Sequence, residues 1–184
     1  GQLGQGHRTS IGTTSGQMGD DLDAIRTGLS GDMTVSDVKC GGKHTCLMYS
    51  DGGVKCWGDN AHGQLGIGPG FQLQATPTLV DANVFNGEQV SMVSCGHEHT
   101  LVVTTQGSLF ACGNGENGRL GLKVPPQNLT FKHHTFQNVP MTSIGSAQVL
   151  TATAGYNHSI VVTTDGRVWT FGSNRLYSVT TLED

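Results

Sequence analysis

The sequence predicts an all-β protein built from repeated antiparallel sheets, and three observations support this prediction. Glycine accounts for 28 of the 184 residues and proline for only 5, whereas the usual glycine share is about 7%. Three blocks of sequence recur with the same internal spacing. Within each block, two short β-prone runs flank a turn dipeptide, which is the pattern of a β-hairpin.

The three blocks begin at Cys40, Cys95 and Ala154 and read CGGKHTCLMYSDGGVKCWG, CGHEHTLVVTTQGSLFACG and AGYNHSIVVTTDGRVWTFG. Each block has a histidine, followed 8 residues later by a glycine. A large or sulfur-bearing residue stands 13 residues after the histidine, and a second glycine stands 14 residues after it. These positions are His44, His99 and His158; Gly52, Gly107 and Gly166; Trp57, Cys112 and Phe171; and Gly58, Gly113 and Gly172. A catalytic residue is normally unique, so we assign these repeated residues structural roles. The histidines are predicted to hydrogen-bond turns at equivalent places.

Each unit has a β-prone lead-in, the hairpin and a glycine-rich tail such as GDNAHGQLGIG, which predicts units at 35–68, 88–122 and 148–176. The opening GQLGQG, residues 1–6, matches the tail of a preceding unit. Units of this size with four short strands predict the blades of a β-propeller, and one blade alone cannot bury its faces. We therefore expect residues 1–184 to form a partial arc of about 3–4 blades, with interblade loops at 7–34 and 123–147.

These motifs resemble the regulator of chromosome condensation (RCC1) repeat, whose pattern is similar to CG..HT......DG.V..WG.N..GQLG.G. Residues 40–68 match it nearly throughout, 95–122 match well, and 154–174 match in their first part only. The resemblance implies four-stranded antiparallel blades and, in most family members, seven of them. It implies little about function, because family members do very different jobs.

The segment 123–147 is the predicted partner-binding loop. It is longer than a hairpin requires and holds three of the five prolines, and long loops on a rigid scaffold often carry binding sites. The candidate contact residues are Lys123, Gln127, Asn128, Phe131, Lys132, His133, His134 and Phe136.

No catalytic residue, cofactor site or metal site is predicted. The glycine-rich run 51–68 lacks the Lys-Ser/Thr pair of a phosphate-binding loop. Cys95, His97 and His99 share one strand face as a zinc half-site would, but no second ligand pair stands at a recognised spacing. Cys46 and Cys56 are expected to face each other across the hairpin, either within disulfide reach or as free thiols.

The net charge of −4, with no basic cluster, argues against a nucleic-acid partner. The absence of an apolar run of about 18 residues argues against membrane insertion. The favoured function is a non-catalytic protein–protein interaction scaffold, part of a larger assembly, with unidentified protein partners and an intracellular location. The alternative is guanine-nucleotide exchange on a small GTPase, the activity of the family's founding member, although no basic tail or convincing wedge is present.

Overall fold

The computed structural model describes residues 1–28, 33–123 and 131–175. Within them, the strands form three antiparallel sheets, each in chain order. The first sheet contains β1 (Val35–Cys40), β2 (His44–Tyr49), β3 (Val54–Asp59) and β4 (Leu73–Leu79). The second contains β5 (Val90–Cys95), β6 (His99–Thr104), β7 (Leu109–Asn114) and β8 (Lys132–Asn138). The third contains β9 (Val149–Ala154), β10 (His158–Thr163) and β11 (Val168–Gly172).

Short 3₁₀ helices lie in the connections, at Gly19–Asp21, Ala82–Phe85, Glu116–Gly118 and Thr142–Ile144. Among the described residues, no helix is long and apolar enough to cross a membrane.

The hairpin formed by the second and third strands of each sheet has the predicted register. In the first sheet, His44 pairs with Gly58 and Cys46 pairs with Cys56 across β2 and β3. The glycine closing each hairpin has φ between +107° and +116°. A Cβ atom on Gly113 would lie 2.4 Å from the carbonyl oxygen of Glu98. Glycine is required here because an L side chain would be strained and would also collide with the backbone.

The three sheets are arranged as consecutive blades around a common axis. Among their first strands, β1 contacts β5 and β5 contacts β9, and the turns that follow these strands are joined by hydrogen bonds. The Gly42 amide donates to the Gly96 carbonyl (3.0 Å), and the His97 amide donates to the Gly155 carbonyl (3.3 Å). The all-β propeller prediction is confirmed, and the described residues form an arc of three blades.

The hydrophobic core lies between the blades. The first junction, between sheets one and two, is centred on Cys46, Val54, Cys56, Val93, Val102, Phe110, Cys112 and Phe136. The second junction, between sheets two and three, is centred on Leu101, Val103, Leu109, Ala111, Val149, Ala152 and Val161. Since successive strand residues point to opposite faces, β6 supplies Val102 to one junction and its neighbours Leu101 and Val103 to the other.

The other face of the first sheet is covered by the N-terminal segment. Leu47, Tyr49 and Trp57 form a buried cluster there, against which Ile25 and Met33 pack. The Tyr49 hydroxyl and the Lys55 ammonium both donate to the carbonyl of Thr27, at 2.5 and 2.6 Å. Residues of the predicted interblade segment 7–34 therefore help to bury this face.

The prediction that 123–147 is a loop is wrong for Lys132–Asn138, which form β8. This strand pairs with β7, with Gly113 opposite His133 and Phe110 opposite Asn138. It satisfies backbone groups of β7 that would otherwise lack partners. The strand was not predicted because its sequence, KHHTFQN, has no clear alternation of polar and apolar residues.

Candidate interaction surface

The recurring histidines join neighbouring blades. At the first junction His44 Nε2 lies 2.8 Å from Thr100 Oγ1, and that hydroxyl is 2.7 Å from the carbonyl oxygen of Gln64. At the second, His99 Nε2 lies 3.0 Å from Ser159 Oγ. The prediction that the histidines bond turns is therefore wrong for His44 and His99, because each meets a hydroxyl on the central hairpin of the next blade.

The direction of these hydrogen bonds follows from their acceptors. A carbonyl oxygen can only accept, so the hydroxyl of Thr100 donates to Gln64 and that of Ser159 donates to Arg119 at 2.7 Å. Each hydroxyl oxygen then accepts the Nε2–H of the histidine. We call this sequence of histidine, hydroxyl and carbonyl the junction relay.

Burial keeps the relay histidines neutral. It lowers the pKa of His44 to about 4 and, with the nearby Arg119 guanidinium, that of His99 to about 3. His158 holds the same strand position but is exposed. His44 and His99 therefore pack between blades, and the structural role of the repeated position stays a prediction for His158.

The large residue at the thirteenth position also packs between repeats, against the second glycine of the G-x-L-G motif. Gly4 faces Trp57, Gly66 faces Cys112 and Gly121 faces Phe171. A Cβ on Gly4 would lie 2.8 Å from Trp57 Nε1, and one on Gly121 would lie 3.0 Å from the Phe171 ring. These constant positions are occupied by contacts within the fold.

Two adjacent positions that differ among all three repeats lie in equivalent turns on the same side of the three sheets. In the motif C/A-G-x-x-H the two central residues are Gly42-Lys43, His97-Glu98 and Tyr156-Asn157. They form the turns between the first and second strands, residues 41–43, 96–98 and 155–157, which we call the turn face. Gly42, Lys43 and Tyr156 are exposed, and His97 and Glu98 are partly exposed. Five of these six variable residues therefore reach the surface at least in part, and Asn157 is buried.

Two aromatic rings stack across the turn face. The rings of His97 and Tyr156 have centroids 3.9 Å apart and planes inclined by 15°. Tyr156 is 57% exposed. A Cβ on Gly42 would approach within 2.5 Å of His97 Cδ2. The glycine in the first repeat thus makes room for the ring of the second, which supports the ring of the third.

Glu98 is the electrostatic centre of this surface. Its carboxylate accepts a hydrogen bond from Asn114 Nδ2 (2.9 Å) and lies 3.4 Å from His62 Nε2, 3.7 Å from Arg119 Nη1 and 3.8 Å from His97 Nδ1. Partial burial alone would raise the pKa of Glu98, but the hydrogen bond from Asn114 and the neighbouring side chains of His62, His97 and Arg119 lower it overall. A fixed negative charge therefore borders the aromatic stack.

The predicted partner-binding residues are in different environments. Lys123 is exposed, whereas Gln127 and Asn128 lie outside the described residues. Phe136 is only 3% exposed and packs in the first junction, so it is a core residue rather than a partner contact.

The other predicted residues lie on or beside β8. Phe131 packs against Gly115 and meets the His133 ring edge-on at 5.1 Å. Lys132 is exposed and donates to the Ala61 carbonyl (3.1 Å), and His134 is half-buried. Their contact with a partner stays a prediction.

The structure does not assemble the half-site of Cys95, His97 and His99. The ring of His97 stacks on Tyr156 at the surface, whereas His99 Nε2 bonds Ser159 inside the second junction. Cys95 instead packs against the first junction.

A different group of metal-ligand type forms in the described part of the chain. A ring nitrogen of His44 and the sulfurs of Cys46 and Cys95 all lie within 4.8 Å of one another. Cys46 is bonded to Cys56, whose Cα atom is 4.1 Å away, as the predicted cross-strand register allows. The alternation of β2, which places His44 and Cys46 on one face, was the available sequence signal. The contribution of Cys95 from the next blade could not be read from that spacing.

Comparison with known proteins agrees with this architecture. The family profile described as "Regulator of chromosome condensation (RCC1) repeat" matches residues 51–103 and 106–162. A second profile of the same description matches 35–64, 90–119 and 151–177. Together these matches include all three hairpins.

Two curated relatives share the repeats. The probable E3 ubiquitin-protein ligase HERC6 of Homo sapiens is 34% identical over 154 residues, which cover 78% of this chain and 14% of the relative. The ultraviolet-B receptor UVR8 of Arabidopsis thaliana is 32% identical over 138 residues, covering 75% of this chain and 29% of the relative. The chain thus spans less than a third of either protein.

A solved structure supports the same conclusion. Human WBSCR16 superposes with a TM-score of 0.67 and 26% identity, over 78% of this chain and 34% of that protein. The recurring motifs, the blades and the family profiles agree, and the chain belongs to the RCC1 repeat family.

Proposed function

We propose that this chain is a non-catalytic protein-interaction scaffold that binds a protein partner through its turn face. One observation carries the proposal. The recurring His44 and His99 and the recurring glycines are used in contacts within the fold, whereas five of the six residues at the two variable positions of the C/A-G-x-x-H turns are at least partly exposed on one surface. Constant packing with variable exposed turns is the arrangement expected of a rigid scaffold that presents a specific binding surface.

The chemistry of the turn face suits a protein partner. It combines the aromatic stack of His97 and Tyr156 with the opposite charges of Lys43 and Glu98. Tyrosine is enriched at protein interfaces, where a well-packed ring contributes much of the binding energy. A nucleic-acid surface would instead present a series of lysines and arginines to the phosphates.

The relatives support a scaffold rather than one particular activity. HERC6 is named as a probable ubiquitin ligase and UVR8 as a light receptor, yet both share these repeats. Because the matched region is a small part of each, the repeats are a common structural module and function must be argued from exposed residues. The existence of an unidentified protein partner, and the membership of this chain in a larger assembly, are both part of this proposal.

The test compares two double variants of the full-length, endogenously tagged protein. His97→Ser with Tyr156→Ser removes the aromatic stack. Gln106→Ser with Leu79→Ser changes two exposed residues away from the turn face and serves as the control. We expect the amount of copurified stoichiometric partner to fall at least about tenfold in the first variant, because removal of a central interface residue has an effect of this size. The control variant should retain the partner, and the two double variants should have equal thermal stability. A partner retained by the first variant would contradict the proposal.

Segment 124–130, the part of the predicted binding loop outside the described residues, gives a separate test. Replacing only these residues with a Gly/Ser linker leaves β8 in place, unlike replacement of the whole segment 123–147. Loss of the partner in this variant alone would move the binding surface from the turn face to that segment.

Guanine-nucleotide exchange remains the alternative function. It is measured as nucleotide release from a panel of small GTPases in the presence of the full-length protein. Release at the uncatalysed rate is expected of a scaffold, whereas accelerated release would replace the scaffold proposal.

A further inference from the structure

The first junction contains a group of soft ligand atoms that the interaction function does not use. His44 and Cys46 come from β2 of the first blade, and Cys95 comes from the end of β5 in the second. Their ligand atoms lie within 4.8 Å of one another, although they belong to different blades. His44 and Cys46 are each only 1% exposed.

The junction relay determines which nitrogen of His44 can act as a ligand. The Nε2–H is donated to Thr100, since that hydroxyl gives its own proton to Gln64. The Nδ1 atom therefore carries the lone pair. It is buried and has no hydrogen-bond partner among the described residues. An uncompensated buried acceptor of this kind is destabilising, and the imidazole thus keeps an unused ligand atom while the relay is intact.

The second junction provides an internal comparison. Its relay has the same geometry, and Nδ1 of His99 is also buried without a partner in the described structure. However, Leu101 and Ala154 occupy the positions equivalent to Cys46 and Cys95. The unpartnered nitrogen is thus a property of the repeat, whereas the two sulfurs beside it are particular to the first junction.

We propose that the first junction binds a thiophilic d¹⁰ cation such as Zn²⁺ when the Cys46–Cys56 disulfide is reduced, with His44, Cys46 and Cys95 as ligands. Sulfur and imidazole are the preferred ligands of such cations. The fourth position is open to the Cys56 thiol, which faces Cys46 across the hairpin, or to water. Because the ligands come from two blades, the ion would join the blades directly.

The steps balance in atoms and charge. A dithiol reductant supplies two electrons and two protons, the Cys46–Cys56 bond breaks into two thiols, and the reductant becomes a disulfide. The divalent cation then replaces the protons of Cys46 and Cys95, and two protons are released. Two thiolates and one M²⁺ are neutral together, which suits a buried site.

The experiment uses the full-length protein carrying Cys56→Ala, which keeps Cys46 as a thiol without added reductant. Under anaerobic conditions it is titrated with Co²⁺, and the thiolate-to-cobalt charge-transfer band and the intense visible bands of tetrahedral cobalt are recorded. Zn²⁺ should displace the cobalt and raise the melting temperature. Adding Cys95→Ala should weaken binding by at least about tenfold, since even indirect ligand partners contribute that much to metal affinity.

Two controls separate this site from nonspecific thiol binding. Cys112→Ala in the Cys56→Ala protein removes another buried sulfur of the same junction and should leave the cobalt spectrum intact. The wild-type protein with its disulfide formed should show no tetrahedral cobalt bands. The proposal is overturned if Cys56→Ala shows no such bands, or if Cys95→Ala leaves the affinity unchanged.

Discussion

The first and second blade junctions share one relay but differ in the side chains around it. Both place the Nε2 of a buried histidine against a hydroxyl that bonds a carbonyl oxygen of the G-x-L-G motif. The first relay ends at Gln64 in a junction containing cysteine and phenylalanine, whereas the second ends at Arg119 beside aliphatic residues.

This comparison shows which part of the repeat specifies the arrangement of blades. The same polar geometry is kept although Thr100 is replaced by Ser159 and Cys112 by Phe171. A hydrophobic core tolerates exchanges if its total volume is kept, and here Gly66 faces the small Cys112 with the large Phe136, whereas Gly121 faces the large Phe171 with the smaller Val139. A buried polar group instead needs its specific partner. The relay and the close glycine contacts therefore define the junction, and the surrounding core adapts to them.

The largest loss of stability is expected for alanine at the glycines that close the hairpins. In Gly113→Ala the strained φ of +107° and the 2.4 Å approach to the Glu98 carbonyl combine. Together these should lower the free energy of unfolding by about 3 kcal/mol or more. Gly166→Ala is the matched control, because its positive φ lies in open space and should cost only about 1 kcal/mol. Urea unfolding measures both, and equal losses would contradict the close-approach argument.

Removal of a relay histidine should have the next largest effect. His44→Ala and His99→Ala each lose a buried ring and leave a hydroxyl without its donor, which should cost about 2–4 kcal/mol. His7→Ala, at an exposed histidine of the N-terminal segment, should change stability by less than ~0.5 kcal/mol. Thermal and urea unfolding of the three variants test the comparison. A loss at His7 as large as that at His44 would refute the assignment of the effect to the junctions.

The relay histidines also predict how stability depends on pH. Burial lowers the pKa of His44 from its ordinary value of 6.5 to about 4, so between these values the unfolded chain binds a proton that the folded chain does not. Stability is therefore lost as the pH falls through this window, by up to about 1.4 kcal/mol per pH unit. Urea unfolding between these pH values should show a shallower slope for His44→Gln than for the wild type. Parallel slopes would show that His44 does not remain neutral in the fold.

A smaller effect is expected when only the relay hydroxyl is removed. Thr100→Val keeps the shape of the side chain but leaves the Nε2–H of His44 without a partner and the Gln64 carbonyl with only the Cys112 thiol at 3.6 Å, which should cost about 1–2 kcal/mol. Thr45→Val removes only the hydrogen bond to the Gln2 carbonyl and should cost about 0.5–1 kcal/mol. Urea unfolding of the two variants gives this difference. A larger loss of stability for Thr45→Val than for Thr100→Val would contradict the three-part relay.

The repeat spacing predicted the hairpins because each turn dipeptide fixes the register locally, as the pairing of Cys46 with Cys56 shows. The spacing did not predict β8, whose partner β7 is separated from it by a long connection and whose residues show no β alternation. The relay was also not predicted, since His44 and Thr100 meet only when neighbouring blades pack. For the candidate site, the sequence identified the constant positions and left the turn face unrecognised.

The central claim is that the constant positions build the blades while the variable turn positions bind the partner. Hydrogen exchange of the full-length protein, alone and with its copurified partner, tests this directly without any substitution. We expect slower exchange on binding in the turn face, residues 41–43, 96–98 and 155–157, with no change in the opposite turns at 50–53, 105–108 and 164–167. Protection confined to the opposite turns or to β8, with the turn face unchanged, would contradict the account.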